Sequence, residues 1–448
     1  MFDNLSKKAA VLSLSAALLF SAVLTPYADP ASEEEPEEVE VEEVEEASAV
    51  EEDDYPSIRG EMGITIDVDT GEILYAKSID QRAYPASTSK IITALLFSEN
   101  RSKDDLLSYT ESAHQQPSYS LHTDYGPISL DYQLTGKSAM EALMIYSAND
   151  VAYMIADDVG GDADTFVGMI NERFSEMGLE NTNFTNANGL HDENHYTTAY
   201  DLSVVTREAL SDPWVEEVLS TDSVIIPTPR GTLPWDNPNQ KVSTEDKVLM
   251  KTGYTPAGGR SLVAIYERDG RRIAGVVLNS EFDFEDTVVF NDMDRIMDWS
   301  FEAAEKTPYF EAGETIETLE LEYRPLRFFG PVHTAEVPVT ISEDVLYYEN
   351  GLNREEIRVE VAINEVSAFS LAPDKPVGTA VISQRETTEE YKVYTTLTQG
   401  DILRNHMGLY IGTGVGALAG LLAIAGLLLL MVRFNQRVRN KRRRYPRF

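Results

Sequence analysis

The segment Pro85-Ala86-Ser87-Thr88-Ser89-Lys90 leads directly into an apolar run, Ile91 to Phe97, which predicts a buried helix. Ser87 and Lys90 are three positions apart, so a helix places both side chains on one face. A serine hydroxyl needs a base to become a nucleophile, and a lysine serves as that base only where burial or a second cation favours its neutral form. Because Ser-x-x-Lys arises often by chance, the segment predicts a nucleophile only if other motifs supply that cation.

Two later segments carry polar groups of the required kind. The first, Tyr146-Ser147-Ala148-Asn149-Asp150, offers a hydroxyl that can relay protons and an amide that can hold a peptide carbonyl. By itself such a segment would more often be a helix cap or a turn. The second, Leu249-Met250-Lys251-Thr252-Gly253, combines a cation, a hydroxyl and a glycine that permits close approach of a ligand. Lys251 is the candidate second cation, although in isolation it would be an ordinary surface lysine.

The three motifs occur in the order Ser-x-x-Lys, Ser-x-Asn and Lys-Thr-Gly, and in this the chain resembles the serine penicillin-binding proteins and β-lactamases. It resembles more closely the low-molecular-weight D-alanyl-D-alanine carboxypeptidases, through these segments together with Asn186-Ala187-Asn188-Gly189-Leu190 and Tyr254-Thr255. The likeness extends roughly from Ser57 to Ser300. It implies an α/β fold, in which a penicillin-binding protein/β-lactamase-like catalytic domain with a sheet flanked by helices precedes a smaller β-rich domain and a C-terminal membrane attachment. In this sequence the attachment is one transmembrane helix, where some members of the family use an amphipathic helix.

The resemblance also implies a role for each motif residue. Ser87 attacks the carbonyl between two terminal D-alanines of a peptidoglycan stem pentapeptide, Lys90 accepts its proton, and Ser147 helps to protonate the leaving amine. Asn149 orients the substrate, and Lys251 with Thr252 holds its terminal carboxylate. The remaining binding residues by this resemblance are Gly253 and Tyr254, the latter sharing an oxyanion site with the backbone N–H of Ser87. β-Lactams would acylate the same serine, and the resemblance implies no cofactor and no metal.

Strand patterns lie on both sides of a helical middle section. Gly63 to Val68 and Glu72 to Ala76 predict a hairpin, and Ser261 to Tyr266 and Ile273 to Leu278 predict a second pair of strands. Beyond about Pro308 the sequence becomes β-rich, in the segments Thr318 to Tyr323, Ile357 to Val361 and Lys392 to Tyr394. We assign residues 57–306 to the catalytic domain and 307–404 to the β-rich domain, for which we expect a role as a spacer or platform.

The two ends of the chain predict an exported, membrane-anchored protein. Residues 1–28 have the pattern of a signal peptide, although an uncleaved N-terminal anchor is an alternative, and residues 29–56 form an acidic linker that we expect to be disordered. Residues 405–432 include an uncharged apolar run, Leu409 to Val432, long enough to cross a bilayer. The basic residues of the 433–448 tail predict that this tail is cytoplasmic and that the catalytic domain faces outward.

Composition excludes several classes of function. The chain has no cysteine, so disulfides, thiolate nucleophiles and cysteine-bound zinc are excluded. Its net charge of −39 disfavours nucleic acid as a partner, because binding a polyanion would add repulsion. His191-Asp192-Glu193-Asn194-His195 has the histidine spacing of some metal sites, but its polar, aperiodic character predicts a surface loop beside the cleft.

Three other functions are compatible with parts of this pattern. A β-lactamase shares the motifs, but we find no Glu-x-x-Leu-Asn deacylation pattern after Ser147. An endopeptidase that cuts D-alanyl cross-links would use the same residues and is the main alternative. A non-catalytic peptidoglycan-binding protein is the third, and the intact set of motif residues argues against it.

Overall fold

The four strands predicted in the catalytic domain join a fifth, which carries Lys251 and was not predicted, in one antiparallel sheet of the computed structural model. The structure describes residues 56–239, 246–285, 287–302, 305–327, 329–364 and 366–444. The predicted signal peptide, and the predicted linker up to residue 55, lie outside these residues. The sheet strands are β1 Met62–Asp67, β2 Ile73–Lys77, β7 Lys247–Thr255, β8 Gly259–Arg268 and β9 Arg271–Ser280. Their order across the sheet is β2-β1-β9-β8-β7.

Helices cover both faces of this sheet, which explains why its strands are apolar on both sides. On β8, Val263 and Ile265 belong to the core beneath the helical middle section, whereas Leu262, Ala264 and Tyr266 belong to the core on the opposite face. That second core is closed by α9, Thr287–Glu302. Side chains alternate across a strand, so each strand contributes to two cores.

The chain between β2 and β7 forms the helical section that carries two of the motifs. Its helices are α1 Lys90–Asn100, α2 Glu111–His114, α3 Leu121–Tyr125, α4 Gly136–Glu141, α5 Asn149–Gly160, α6 Ala163–Glu176, α7 Ala199–Ala209 and α8 Pro213–Leu219. Two short antiparallel strand pairs complete it, β3 Leu106–Ser108 with β4 Gln133–Thr135, and β5 Ser223–Thr228 with β6 Gly231–Asp236. Asp162 and Thr198 start α6 and α7 by accepting hydrogen bonds from backbone N–H groups of the first turn.

A second five-stranded antiparallel sheet and a separate strand pair follow α9. The elements of this part are β10 Lys306–Phe310, β11 Thr315–Tyr323, β12 His333–Ile341, β13 Val345–Tyr348, α10 Gly351–Glu356, β14 Arg358–Ile363, β15 Gly378–Gln384 and β16 Thr387–Thr395. The order of the sheet is β11-β12-β16-β15-β14, and β10 pairs with β13. This part of the chain has an apolar core of its own. The predicted fold class, an α/β domain followed by a β-rich part, is confirmed.

The chain ends in two helices, α11 Gln399–Asn405 and α12 Met407–Arg444. Thr398 and Asp401 cap α11 reciprocally, which fixes where it begins. Met407–Asn440 of α12 is long and apolar enough to cross a membrane, and the most apolar part of it is unburied. Among the described residues it is the single helix with these properties.

The tip of the β15–β16 hairpin attaches the second sheet to the catalytic part of the chain. The guanidinium of Arg385 donates to Asp80 at 3.0 and 2.8 Å and to Glu356 at 2.6 Å, and it lies 4.2 Å from the centre of the Tyr200 ring. The side chain of Arg385 is 16% exposed, so its ion pairs are shielded from water more than those on an open surface.

We predict that Arg385→Ala lowers the free energy of unfolding by about 2 kcal/mol, because it leaves two carboxylates unpaired at a half-buried junction. Thermal unfolding of the detergent-solubilised chain, followed by circular dichroism, measures the change. Arg404→Ala is the matched control, because its ion pair with Asp401 is long, at 3.9 Å, and open to solvent. Equal melting temperatures for the two variants would contradict the prediction.

Candidate active site

Ser87 lies in a single 3₁₀ turn, Ala86–Ser89, that runs directly into α1. The predicted spacing places the Lys90 Nζ 3.0 Å from the Ser87 Oγ. The turn is tied down locally, because Thr88 Oγ1 donates to the carbonyl of Pro85 at 2.7 Å and Ser89 Oγ donates to that of Ala86 at 2.8 Å. The hydroxyl of Ser87 is therefore presented on a rigid turn beside an amine.

Lys90 is fully buried and has three oxygen neighbours. Besides Ser87, its Nζ donates to Asn149 Oδ1 at 2.9 Å and to the carbonyl of Asn188 at 2.7 Å. Burial, together with the positive charge of Lys251, holds the pKa of Lys90 well below its usual range, and the nearby Asp150 acts weakly in the opposite direction. A neutral amine has two N–H groups, so it can serve both fixed acceptors and keep its lone pair for the hydroxyl of Ser87.

Lys251 brings the third motif to the second. It lies on β7, is almost fully buried, and its Nζ donates to Ser147 Oγ at 3.0 Å and to the carbonyl of Thr252 at 3.1 Å. Burial and then the charge of Arg260 lower the pKa of Lys251 to about 7. The structure thus places a second buried lysine beside the second serine of the motifs.

Ser147 has a left-handed backbone conformation, with φ 69° and ψ 37°, directly after the π-helical turn Ala142–Tyr146. A side chain at such φ costs energy and is found where the surroundings impose it, frequently at functional sites. Asn149 follows as the first residue of α5. This irregular junction is what turns the Ser147 hydroxyl towards β7 while the Asn149 amide faces Lys90.

Both the oxygen and the nitrogen of the Asn149 side-chain amide form hydrogen bonds within the protein, which the sequence does not indicate. Its Oδ1 accepts from Lys90, its Nδ2 donates to the carbonyl of Ser118 at 2.9 Å, and it is 4% exposed. An amide nitrogen carries two N–H groups, and the second is the one that can meet a substrate carbonyl. Asn149 therefore also positions Lys90, a function that the motif alone did not suggest.

Asn188 is a site residue that the sequence signalled without giving it a role. It belongs to the quoted Asn-Ala-Asn-Gly-Leu segment; its carbonyl accepts from Lys90, and its side chain donates to Gln116 Oε1 at 2.8 Å. The next residue, Gly189, has φ +82°, and a Cβ there would lie 1.9 Å from the carbonyl oxygen of Ala86. Glycine at this position lets the segment pack against the turn that carries Ser87.

The prediction of a surface loop at His191–His195 is wrong for His195. Residues 191–194 are exposed, but His195 is 2% exposed and stacks on Phe184 with ring centroids 4.2 Å apart. The N–H of Thr185 donates to its Nδ1 at 3.1 Å, so its Nε2 carries the proton and donates to Ser89 Oγ at 2.9 Å. Burial lowers the pKa of His195 to about 3. This histidine supports the nucleophile turn from behind.

In the part of the chain that the structure describes, no three His, Cys, Asp or Glu side chains are grouped closely enough to hold a metal ion. His191 and His195 therefore do not belong to such a group. His191 instead contacts the ring of Tyr84 edge-on, with centroids 4.5 Å apart.

The remaining predicted binding residues follow Lys251 along β7. Gly253 is buried, and a Cβ on it would lie 2.7 Å from the backbone nitrogen of Ser87 and 2.9 Å from that of Thr88. Tyr254 is 40% exposed and packs on Phe282, with ring centroids 4.4 Å apart. Thr252, which precedes Gly253, is half-buried. The structure therefore brings the three motifs together, and glycine allows β7 to lie against the nucleophile turn.

A family profile and two curated relatives of this chain are all described as D-alanyl-D-alanine carboxypeptidases. The peptidase S11 profile, described as D-alanyl-D-alanine carboxypeptidase, matches residues 47–281. The D-alanyl-D-alanine carboxypeptidase DacF of Bacillus subtilis is 24% identical over 324 residues, 72% of this chain and 80% of DacF. The D-alanyl-D-alanine carboxypeptidase DacA of Haemophilus influenzae is 27% identical over 281 residues, 60% of this chain and 68% of DacA.

A solved structure extends the likeness beyond the catalytic part. Penicillin binding protein 5 from Haemophilus influenzae has a TM-score of 0.53 at 22% identity, over 76% of this chain and 97% of that protein. At this identity the likeness is one of fold. The profile match takes in just over half of the chain, including all three motifs and the sheet that carries the third. We conclude that the chain belongs to the peptidase S11 family of D-alanyl-D-alanine carboxypeptidases.

Proposed function

We propose that this protein is a serine D-alanyl-D-alanine carboxypeptidase that removes the terminal D-alanine from peptidoglycan stem pentapeptides. The observation that carries the proposal is the buried amine of Lys90, 3.0 Å from the hydroxyl of Ser87. Lysine is a poor base at its ordinary pKa, and burial beside Lys251 removes that obstacle. The names of the relatives agree with this activity.

Acylation begins when neutral Lys90 accepts the proton of Ser87 Oγ as that oxygen attacks the carbonyl between the two D-alanines. Negative charge develops on the carbonyl oxygen, and we assign its stabilisation to the backbone N–H groups of Ser87 and, by family resemblance, Tyr254. Gly253 supports this arrangement, because the absence of a Cβ lets the strand that holds Tyr254 approach the nucleophile turn.

The leaving D-alanine takes up a proton on its amine as the peptide C–N bond breaks. We assign this proton transfer to Ser147, and the assignment is supported by Lys251, whose Nζ lies 3.0 Å from Ser147 Oγ and can reprotonate it. Once the proton gained by Lys90 has been transferred to Lys251, both lysines are back in their starting states. Water then attacks the acyl carbonyl and gives a proton to neutral Lys90, which passes it to Ser87 Oγ as the ester bond breaks. The products are free D-alanine and the shortened stem peptide.

Recognition of the substrate's end is assigned to Lys251 and Thr252. A carboxypeptidase must bind the terminal carboxylate, and a protonated lysine in a dry site is an effective partner for it. Asn149 contributes its second amide N–H to a carbonyl of the peptide. Penicillins present a carboxylate and a strained amide with similar spacing, so we expect them to acylate Ser87 as well.

We place this activity at a membrane surface. The long apolar helix α12 supports anchoring, and the arginines that follow Val432 support an orientation with the catalytic part outside and the tail in the cytoplasm. The boundaries proposed for the domains, 57–306 and 307–404, then describe an enzyme held above the membrane by its second sheet.

Ser87→Ala is predicted to abolish release of D-alanine from a pentapeptide ending in D-Ala-D-Ala and to abolish labelling by a fluorescent penicillin. Lys90→Ala should do the same, because the hydroxyl then has no base. Circular dichroism checks that both variants remain folded. Penicillin labelling of Ser87→Ala would contradict the assignment, and a wild type that binds penicillin without releasing D-alanine would favour an endopeptidase.

Gly253→Ala is predicted to lower the acylation rate by about 100-fold, since a Cβ would push the backbone of the nucleophile turn by a distance that matters for attack. Stopped-flow penicillin labelling measures the rate. Gly168→Ala is the matched control, because a Cβ at this position in α6 meets nothing within 4 Å. If the two variants acylate at the same rate, the close approach of β7 is irrelevant to catalysis.

The pH dependence of kcat/KM should show an alkaline decline that begins near pH 7, where Lys251 loses its proton. Below this pKa the lysine is charged and attracts the substrate carboxylate; above it the attraction is lost, and kcat/KM falls by about tenfold per pH unit. Lys251→Arg keeps the charge at all these pH values and should remove the decline, whatever its effect on the maximal rate. An unchanged decline in that variant would assign it to another group.

A further inference from the structure

The loop between β11 and β12 lies beside the first turn of the apolar helix α12. Tyr410 on α12 donates its hydroxyl to the carbonyl of Pro325 at 2.8 Å. One residue before α12, His406 Nε2 is 2.6 Å from the hydroxyl of Tyr323, at the end of β11. The described residues of this loop, 324–327 and 329–332, are therefore held at the point where the chain leaves the second sheet for the membrane.

The length of the apolar run in α12 indicates how deep in the membrane the contact between Tyr410 and the loop lies. Leu409 to Val432 is uncharged, and about 20 helical residues cross the roughly 30 Å of hydrocarbon in a bilayer. Counting back from Val432 places the outer boundary of the hydrocarbon close to Gly412 and Thr413. Tyr410 then lies at the level of the lipid headgroups, where tyrosine is enriched, and it holds the loop at this level.

The exposed side chains of the loop differ from their surroundings in both polarity and charge. Phe329 is 74% exposed and Val332 is 47% exposed. Arg324 and Arg327 are also exposed, and residues 324–332 contain no acidic residue. By contrast, the preceding residues 311–322 contain five glutamates. A patch of large apolar groups with arginines, in an otherwise acidic chain, is suited to an anionic, partly apolar surface.

Contacts within the loop and with Phe369 hold the loop in shape. The N–H of Arg327 donates to the carbonyl of Arg324 at 2.8 Å, and the Arg324 guanidinium donates to the carbonyl of Gly330 at 2.6 Å. The guanidinium of Arg327 lies 5.2 Å from the centre of the Phe369 ring. A guanidinium has five N–H groups, so both arginines retain donors for phosphate oxygens. The loop is thus arranged before it meets a partner, which lowers the entropic cost of binding.

We propose that this loop is a second membrane contact, in which Phe329 and Val332 enter the interface of the outer leaflet and Arg324 and Arg327 bind the phosphates of anionic lipids. The inference rests on the membrane span proposed above for α12. It adds a fixed second point of attachment to that span. Two points of attachment, unlike one helix, set the tilt of the second sheet relative to the membrane.

The absence of cysteine from the chain makes a direct test possible. The full chain carrying Phe329→Cys is labelled with an environment-sensitive nitrobenzoxadiazole dye and reconstituted in vesicles of phosphatidylcholine, with or without phosphatidylglycerol. Leu421→Cys, in the middle of the apolar run, reports the span. Leu346→Cys is the matched control: it is apolar and 45% exposed on β13, which lies next to the catalytic part. Circular dichroism checks the fold of each variant.

In phosphatidylglycerol vesicles, we expect a blue-shifted emission at position 329, quenched by nitroxide-bearing lipids, and a water-like emission at position 346. Arg324→Gln with Arg327→Gln should move the emission at 329 towards that in phosphatidylcholine alone. Quenching at 421 but not at 329 would overturn the loop contact while leaving the span intact. Absence of quenching at both positions would overturn the span and the loop contact together. Equal burial of 329 in both kinds of vesicle would overturn the role of the arginines.

Discussion

A lysine side chain held out of water beside a serine hydroxyl is costly to build, and much of the catalytic part of this protein is organised around that cost. An unpaired ammonium in such a place would destabilise the fold, so Lys90 is surrounded by three oxygen acceptors. Two come from distant parts of the chain, the Asn149 side chain at the start of α5 and the carbonyl of Asn188. The third is the hydroxyl of Ser87, three residues earlier. Burial, and then the charge of a second buried lysine on β7, lower the pKa of Lys90 and favour its neutral form. The atoms that satisfy the hydrogen-bonding capacity of the buried lysine therefore also prepare it to act as a base.

The arrangement explains which parts of the molecule could be predicted. The Ser87–Lys90 pair depends on one helical turn, and the sheet strands depend on alternating apolar residues, so both are encoded locally, and the predicted strands and fold class are confirmed. The Lys251–Ser147 contact joins residues 104 positions apart. This contact was not predicted, because nothing in the spacing of the two residues indicates it.

What the sequence could not indicate are the features created by packing between distant segments. His195 lies in a polar stretch, yet the fold stacks it on Phe184 and joins it to Ser89, so its burial overrides the local pattern. The hydrogen bonds of Asn149 to Lys90 and Ser118 are also long-range contacts that the sequence does not indicate. The same is true of the hydrogen bond from Lys90 to the Asn188 carbonyl, because a side-chain motif does not reveal the role of a backbone group. Long-range contacts decide these roles, and local propensity does not report them.

The turn that carries Ser87 lies between two glycine backbones, Gly189 on one side and Gly253 on the other, each too close to it for any side chain. This sets a limit on how the protein can vary over evolution. At neither position can a glycine be replaced by a larger residue to narrow the space beside the serine and so change ligand preference. The added Cβ would collide with the main chain of the turn that carries Ser87. Divergence within such a site must instead run through its outer rim, where Tyr254 and Phe282 are solvent-exposed and can change without moving the serine.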